Sequence, residues 1–165
     1  MSANLTKRSF LGSAAAALGI FGFAGCSKGN AASAASRFEV MKTSAEWKRQ
    51  LGAARYAVLR EENTERAGSS SLNGEKRKGT YICAGCALPL YSSAAKYESG
   101  TGWPSFFKSL PNAVRTKADR GLLGTRTEVH CRRCGGHLGH VFDDGPAPTG
   151  ERYCMNGLAL QFDPA

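Results

Sequence analysis

The chain has 165 residues, six of them cysteine, with 22 Lys and Arg against 13 Asp and Glu and a formal net charge of +9. Once an N-terminal leader is set aside, roughly 130 residues remain, enough for one hydrophobic core and too few for two domains of ordinary size. The basic residues are spread along the chain, and Lys7, Arg8 and Lys28 lie in or beside the leader, so charge alone makes no case for a nucleic-acid partner.

Residues 1–36 read as an export signal followed by a linker. Lys7-Arg8 precede an apolar, Ala-rich stretch from Ser9 to Ala24 that is short for a bilayer span. Thr6-Lys7-Arg8-Ser9-Phe10-Leu11 resembles a twin-arginine signal with Lys in place of the first Arg, the signal of a route that carries proteins already folded around a metal or cofactor. A general secretory leader shows similar residues. Phe23-Ala24-Gly25-Cys26 resembles a lipoprotein box, with Phe23 where Leu is usual. Lipidation at Cys26, the only membrane attachment expected of the mature protein, competes with cleavage near Ala31 to Ala35 and with an uncleaved anchor. The expected location is the periplasm or cell envelope, where disulfides are permitted. Ser27 to Ser36, small and polar, is the linker.

Residues 37–165 form the expected domain. Ser44 is an N-cap candidate for a short helix in which Trp47 and Leu51 stand at i,i+4, ending by Gly52. A second short helical stretch is expected through Ala57-Val58-Leu59-Arg60. The polar segment from Glu61 to Gly79, with Gly68-Ser69-Ser70-Ser71 and Asn73-Gly74 as turn signals, reads as an irregular loop. From Thr80 onward short apolar runs are cut by Gly, Pro and Asn: Thr80-Tyr81-Ile82, Leu88-Pro89-Leu90-Tyr91, Arg126 to His130 and His140-Val141-Phe142 read as strands. Gly157 to Phe162 reads as a final strand, with Leu158, Leu160 and Phe162 on one face. The expected fold is mainly β and antiparallel, with short N-terminal helices packed against it.

The only internal repeat is Cys-x-x-Cys, at Cys83/Cys86 and Cys131/Cys134. Each tight turn can present two sulfurs to one ion at about 2.3 Å, and two such turns complete a tetrahedral shell with no open position. The expected cofactor is therefore a structural Zn2+. Two disulfides in an exported protein, or a redox role for one pair, are the competing readings.

That leaves Cys154, in Gly150-Glu151-Arg152-Tyr153-Cys154-Met155-Asn156, as the unpartnered thiol of the domain. A free thiol is mostly protonated at neutral pH, so a working nucleophile needs a positive neighbour, and Arg152 is the obvious one. In a strand, Arg152, Cys154 and Asn156 would line one face. A buried filler cysteine is the alternative.

Four segments bear on that choice: Thr80 to Cys86, Ser99-Gly100-Thr101-Gly102-Trp103-Pro104-Ser105-Phe106, Gly135 to Pro146 around His137-Leu138-Gly139-His140, and Glu151 to Asn156. Together with Asn63-Thr64-Glu65-Arg66, they resemble the B-type methionine sulfoxide reductases, specific for the R epimer, over about Ser44 to Phe162. The resemblance implies two antiparallel β-sheets packed around one core. It implies Cys154 as nucleophile and Cys83, Cys86, Cys131 and Cys134 as zinc ligands. His137 and His140 would bind the sulfoxide oxygen and help protonate it, Asn156 would orient them, Arg152 would assist Cys154, and Trp103 and Phe106 would bind substrate. Asp143 and Asp144 read as a turn, with a substrate-site role for one of them as the alternative. Many relatives carry a recycling cysteine where this chain has Thr101, so the sulfenic acid left on Cys154 is expected to be reduced by an external thioredoxin-like dithiol. Gly157 stands where Ser is common. A monomer is expected. A zinc-ribbon module for nucleic acid leaves the export signal and Cys154 without a purpose, and a disulfide-stapled structural domain is the third reading.

Overall fold

The computed structural model describes residues 38–121 and 124–165. The export signal, the lipidation at Cys26 and the linker fall outside the described residues. One helix, α1 (Ser44–Glu61), occupies the segment where two were expected. Gly52 interrupts it at φ 69°, ψ 170°, so the expected stop is real, but the chain re-enters helical geometry directly. The N-cap is Thr43, one residue earlier than expected, because Thr43 and Glu46 have the spacing of a capping box: Thr43 Oγ1 accepts from Glu46 N–H, and Thr43 N–H donates to the Glu46 carboxylate at 2.7 Å. Trp47, Leu51, Val58 and Leu59 form its buried stripe.

Among the described residues nine strands follow: β1 (Gly79–Cys83), β2 (Pro89–Ser92), β3 (Lys96–Tyr97), β4 (Ser105–Phe106), β5 (Val114–Gly121), β6 (Gly124–Cys131), β7 (His137–Phe142), β8 (Arg152–Met155) and β9 (Leu160–Pro164). They build two antiparallel sheets, one in the order β2-β1-β9 and one in the order β3-β4-β8-β7-β6-β5. Sequence pattern missed β5. It is the outermost strand of its sheet, Val-Arg-Thr-Lys-Ala-Asp-Arg-Gly, and its pairing with β6 demands no apolar face.

The expected strand from Gly157 splits into a 3-10 turn, Gly157–Ala159, and β9. The Glu65 carboxylate accepts the backbone N–H groups of Gly157 and Leu158 and holds that turn, so Leu158 never joins the alternation of Leu160 and Phe162. The core between the sheets centres on Tyr81, Tyr91 and Phe106, with the Tyr91 and Phe106 rings stacked at 4.4 Å and Tyr81 meeting Phe106 edge-on at 4.9 Å. Phe106 is 0% exposed. The expected substrate contact at Phe106 is thereby corrected: its ring is spent on the core, because in β4 it points to the face opposite Ser105.

Candidate active site

Cys154 sits in β8 between two neighbours, level with Ser105 of β4 on one side and His140 of β7 on the other. The close approach of β7 depends on Gly139, at φ 155°, where a Cβ would lie 2.1 Å from the Cys154 carbonyl oxygen. Cys154 is half-buried and opens into a cavity of about 120 Å³ lined by Trp103, Arg126, His140, Phe142 and Asn156 among others. That volume suits a single side chain rather than a large ligand. A larger cavity of about 620 Å³, lined by Arg55, Leu72, Arg77 and Phe162 among others, includes no cysteine or histidine in its lining.

The aromatic wall is held from behind. Trp103 Nε1–H donates to the Glu65 carbonyl at 3.1 Å, and Glu65 N–H donates to Asn156 Oδ1 at 3.0 Å. Gly102, at φ 92°, lets the loop carrying Trp103 press against Ala67, where a Cβ would come within 2.9 Å of the Ala67 methyl. Asn156, 3% exposed, donates through Nδ2 to the Leu138 carbonyl at 3.2 Å. Its amide therefore ties β7 to the Glu65 segment. The sequence placed Asn156 beside Cys154 correctly, but the bonds it makes are to backbone rather than to either histidine ring.

His140 and His137 each have a carboxylate. His140 Nε2 lies 2.8 Å from Asp119 Oδ2, and Asp119 also takes Arg126 at 2.7 Å. Burial pushes the His140 ring below its usual titration range, opposed by the Asp119 hydrogen bond. His137 stands behind it, 2% exposed, with ring centroids 5.5 Å apart. Its Nδ1 lies 3.0 Å from Glu128 Oε1, which fixes the ring, and its buried Nε2 has no hydrogen-bond partner. Burial pushes Glu128 up, but Lys117, 2.8 Å away, and His137 outweigh it and the carboxyl titrates below its ordinary range.

Arg152 shares a face with Cys154, as the strand period predicts. Its Nε and Nη2 both donate to Asp144 at 2.8 Å, and its guanidinium lies 4.3 Å over the Phe142 ring. Its charge is thus shared with Asp144, an acid from the turn before β8. Glu65, Asp119, Glu128 and Phe142 carry site roles that sequence reasoning did not assign. Glu65 was visible as the middle of Thr64-Glu65-Arg66, whereas Asp119 and Glu128 sit in a charged hairpin and have no local signal.

The other four described cysteines converge. Their sulfurs all lie within 4.8 Å of one another, with Cys83 to Cys134 at 3.7 Å and Cys86 to Cys131 at 3.5 Å. A tetrahedron of sulfurs at 2.3 Å from an ion has edges of about 3.8 Å, so the set fits a four-thiolate metal site. No disulfide joins the described cysteines. The clustered sulfurs split one another's titration, Cys131 first pushing the Cys83 thiol up and pulling Cys86 down, so all four ionise together only where a cation neutralises them.

A half-buried thiol facing a cavity for one side chain, with the other described thiols gathered apart from it in a possible metal site, fits a thiol-based oxidoreductase built on a β scaffold. Comparison with known proteins narrows the class. The SelR domain matches residues 51–164. Proteins named peptide methionine sulfoxide reductase MsrB are similar: that of Methanosarcina barkeri is 52% identical over 124 residues, 74% of this chain and 87% of its own length. That of Leptospira interrogans is 48% identical over 126 residues, 76% and 96% of the two chains, and that of Thiobacillus denitrificans 50% over 124 residues, 74% and 94%. The chain belongs to the SelR domain family, the B-type methionine sulfoxide reductases.

Proposed function

We propose that the protein reduces methionine-R-sulfoxide in proteins to methionine, with Cys154 as the nucleophile. The observation that carries this is the opening of the Cys154 side chain into a cavity of about 120 Å³ walled by Trp103. The substrate's S-methyl group packs on the indole, which places the sulfoxide sulfur against the Cys154 thiolate. The thiolate attacks that sulfur, the sulfoxide oxygen takes a proton, methionine leaves, and Cys154 keeps the oxygen as a sulfenic acid. The histidine pair supplies the polar side of the cavity: with Nε2–H committed to Asp119, His140 gives the oxygen its proton from Nδ1 in its imidazolium form and returns to the neutral ring, and His137 packs behind it. Arg152, anchored by Asp144, favours the ionised sulfur. A dithiol then reduces the sulfenic acid, forming its own disulfide and releasing water.

The metal we assign to Cys83, Cys86, Cys131 and Cys134 is Zn2+, on the grounds of the thiolate set and its spacing; bound there, it cross-links two turns and takes no part in the reaction. The reductant we assign is a thioredoxin-like protein, because Thr101 stands where a recycling cysteine would serve and the knuckle sulfurs are held together elsewhere. We place the protein outside the cytoplasm as a monomer, on the strength of the Lys7-Arg8 leader, with Cys26 as the residue that decides between a free and a lipid-tethered form. N-terminal analysis of the mature protein distinguishes those two. Turnover of the R and S epimers of a sulfoxide-containing peptide by wild type and Cys154→Ser tests the reaction: R-specific turnover in the wild type and none in the variant are expected, and activity retained by the variant overturns the assignment.

A further inference from the structure

A chain of hydroxyl groups ends on the reactive sulfur. Ser105, 0% exposed, donates its hydroxyl to the Trp103 carbonyl at 3.1 Å. Its oxygen lies 2.7 Å from Ser99 Oγ, Ser99 Oγ lies 2.8 Å from Thr101 Oγ1, and Thr101 Oγ1 lies 3.6 Å from Cys154 Sγ. Each hydroxyl has one proton, and a carbonyl has none, so the count fixes every direction. With the Ser105 proton on the Trp103 carbonyl, Ser99 must donate to Ser105, Thr101 must donate to Ser99, and the S–H of Cys154 must donate to Thr101. This is the arrangement of a neutral thiol.

A sulfur carrying negative charge has no proton to give. The chain must then turn round: Thr101 donates to the sulfur, Ser99 to Thr101 and Ser105 to Ser99, and the Ser105 bond to the Trp103 carbonyl is released. Hydroxyl rotation accomplishes this with no movement of the backbone. We propose that Ser99, Thr101 and Ser105 form a reversible hydroxyl relay in which Thr101 is the hydrogen-bond donor to the anionic forms of Cys154, the thiolate before attack and the sulfenate after it. Thr101 touches the reacting atom; Ser99 and Ser105 are positioning residues that act through it. The inference rests on Cys154 being the nucleophile.

The other groups around Cys154 leave room for such a donor. Arg152 on its own strand is engaged bidentately by Asp144. His140, opposite it on β7, is bonded to Asp119, and Arg126 across the cavity is paired with the same acid. Tyr97 of β3 lies with Thr101 and Arg152 along an adjoining cavity and remains protonated, burial raising its titration range. The facing residue of β4 is Ser105 itself.

The test is the rate at which iodoacetamide alkylates Cys154 in the metal-loaded protein, located by mass spectrometry, as a function of pH. Thr101→Val keeps the side chain's shape and removes the hydroxyl. Its alkylation rate at pH 7 is expected to fall about tenfold, the loss of one hydrogen bond to a charged group, with the gap closing near pH 10, where the thiol ionises regardless. Thr101→Ser is expected to restore the parent rate, and Ser99→Ala and Ser105→Ala to give smaller decreases of the same pH-dependent kind. Equal rates for Thr101→Val and parent at pH 7 would overturn the relay, as would a gap of constant size at all pH, which marks a steric effect. Alkylation is read independently of turnover: a parent protein inactive on methionine-R-sulfoxide sinks the proposed reaction, whereas an active parent with an unaltered Thr101→Val profile sinks only the relay.

Discussion

Glu65 offers the sharpest test of how the cavity is held. Its carboxylate accepts two backbone N–H groups just after the catalytic strand, Gly157 and Leu158, while its own backbone binds Trp103 on one side and Asn156 on the other. Glu65→Ala removes both carboxylate bonds and leaves the backbone ones. A hydrogen bond to a charged acceptor is worth about 1.5–3 kcal/mol, but the 620 Å³ cavity lined by Glu65, Gly157 and Leu158 lets water reach the freed donors, which places the total near the low end, about 2–3 kcal/mol. For a domain of roughly 130 residues that corresponds to a fall in Tm of about 6–12 °C. Because the 3-10 turn and the Trp103 wall share this anchor, KM for the sulfoxide is expected to rise about three- to tenfold with a smaller change in kcat. Glu65→Gln keeps one acceptor and sets an amide N–H2 against the second backbone donor, so its losses should fall between wild type and Ala. The assays are thermal unfolding of the metal-loaded protein and steady-state kinetics on one peptide substrate. If Glu65→Ala melts within about 2 °C of wild type with an unchanged KM, the carboxylate does not position the site and the reasoning is wrong.

Metal removal should act on the fold before the chemistry: Cys83→Ser or a strong chelator is expected to lower the melting temperature sharply and release one equivalent of metal, measured by calorimetry and metal analysis, with activity lost in step with folded protein. Asp119→Asn takes away the carboxylate charge that opposes burial at His140, so the ring should titrate lower still, read by NMR of its carbon-bound protons. Glu128 titrates below its ordinary 4.5, so it stabilises the fold fully above that pH and loses its contribution as the pH falls through the lower folded value. Glu128→Gln should therefore be less stable than wild type at pH 7, with the difference narrowing as the pH falls below 4.5 in denaturant melts.

The chemistry was legible where one residue type has few other uses. Two Cys-x-x-Cys turns announce a metal knuckle from spacing alone, and the structure gathers them as expected. Cys154 stood out because its siblings were accounted for. Strands read from apolar runs, such as β1 and β7, were found, whereas β5 was not, since an edge strand of charged residues earns its place through backbone pairing that no local pattern records. The role of Phe106 was misread for a related reason. The motif Trp103-Pro104-Ser105-Phe106 travels as a unit, but strand alternation sends Ser105 towards Cys154 and Phe106 into the core. The carboxylates behind the two histidines are 9 and 21 residues away in sequence, beyond the reach of any spacing argument.

The position of the four-cysteine site shows how a metal bound there would be remote from the reaction and still bear on it. Cys83 ends β1 and Cys86 follows in the turn to β2, in the three-stranded sheet; Cys131 ends β6 and Cys134 follows in the turn to β7, in the six-stranded one. Four sulfurs on one ion would therefore join a hairpin turn of each sheet. Helix α1 reaches both turns, Gln50 donating to the Gly85 carbonyl at 2.7 Å and Arg60 to the Cys134 carbonyl at 3.0 Å. β7 begins at His137, just beyond the second turn, and three residues later brings His140 level with Cys154. Anchoring the start of β7 thus fixes the register of the strand that carries both histidines, and a slip of one residue there would turn His140 to the opposite face from Cys154. A metal bound there would set where the histidines stand, the Glu65 segment sets where Trp103 stands, and the two frames meet at β8, beside Cys154.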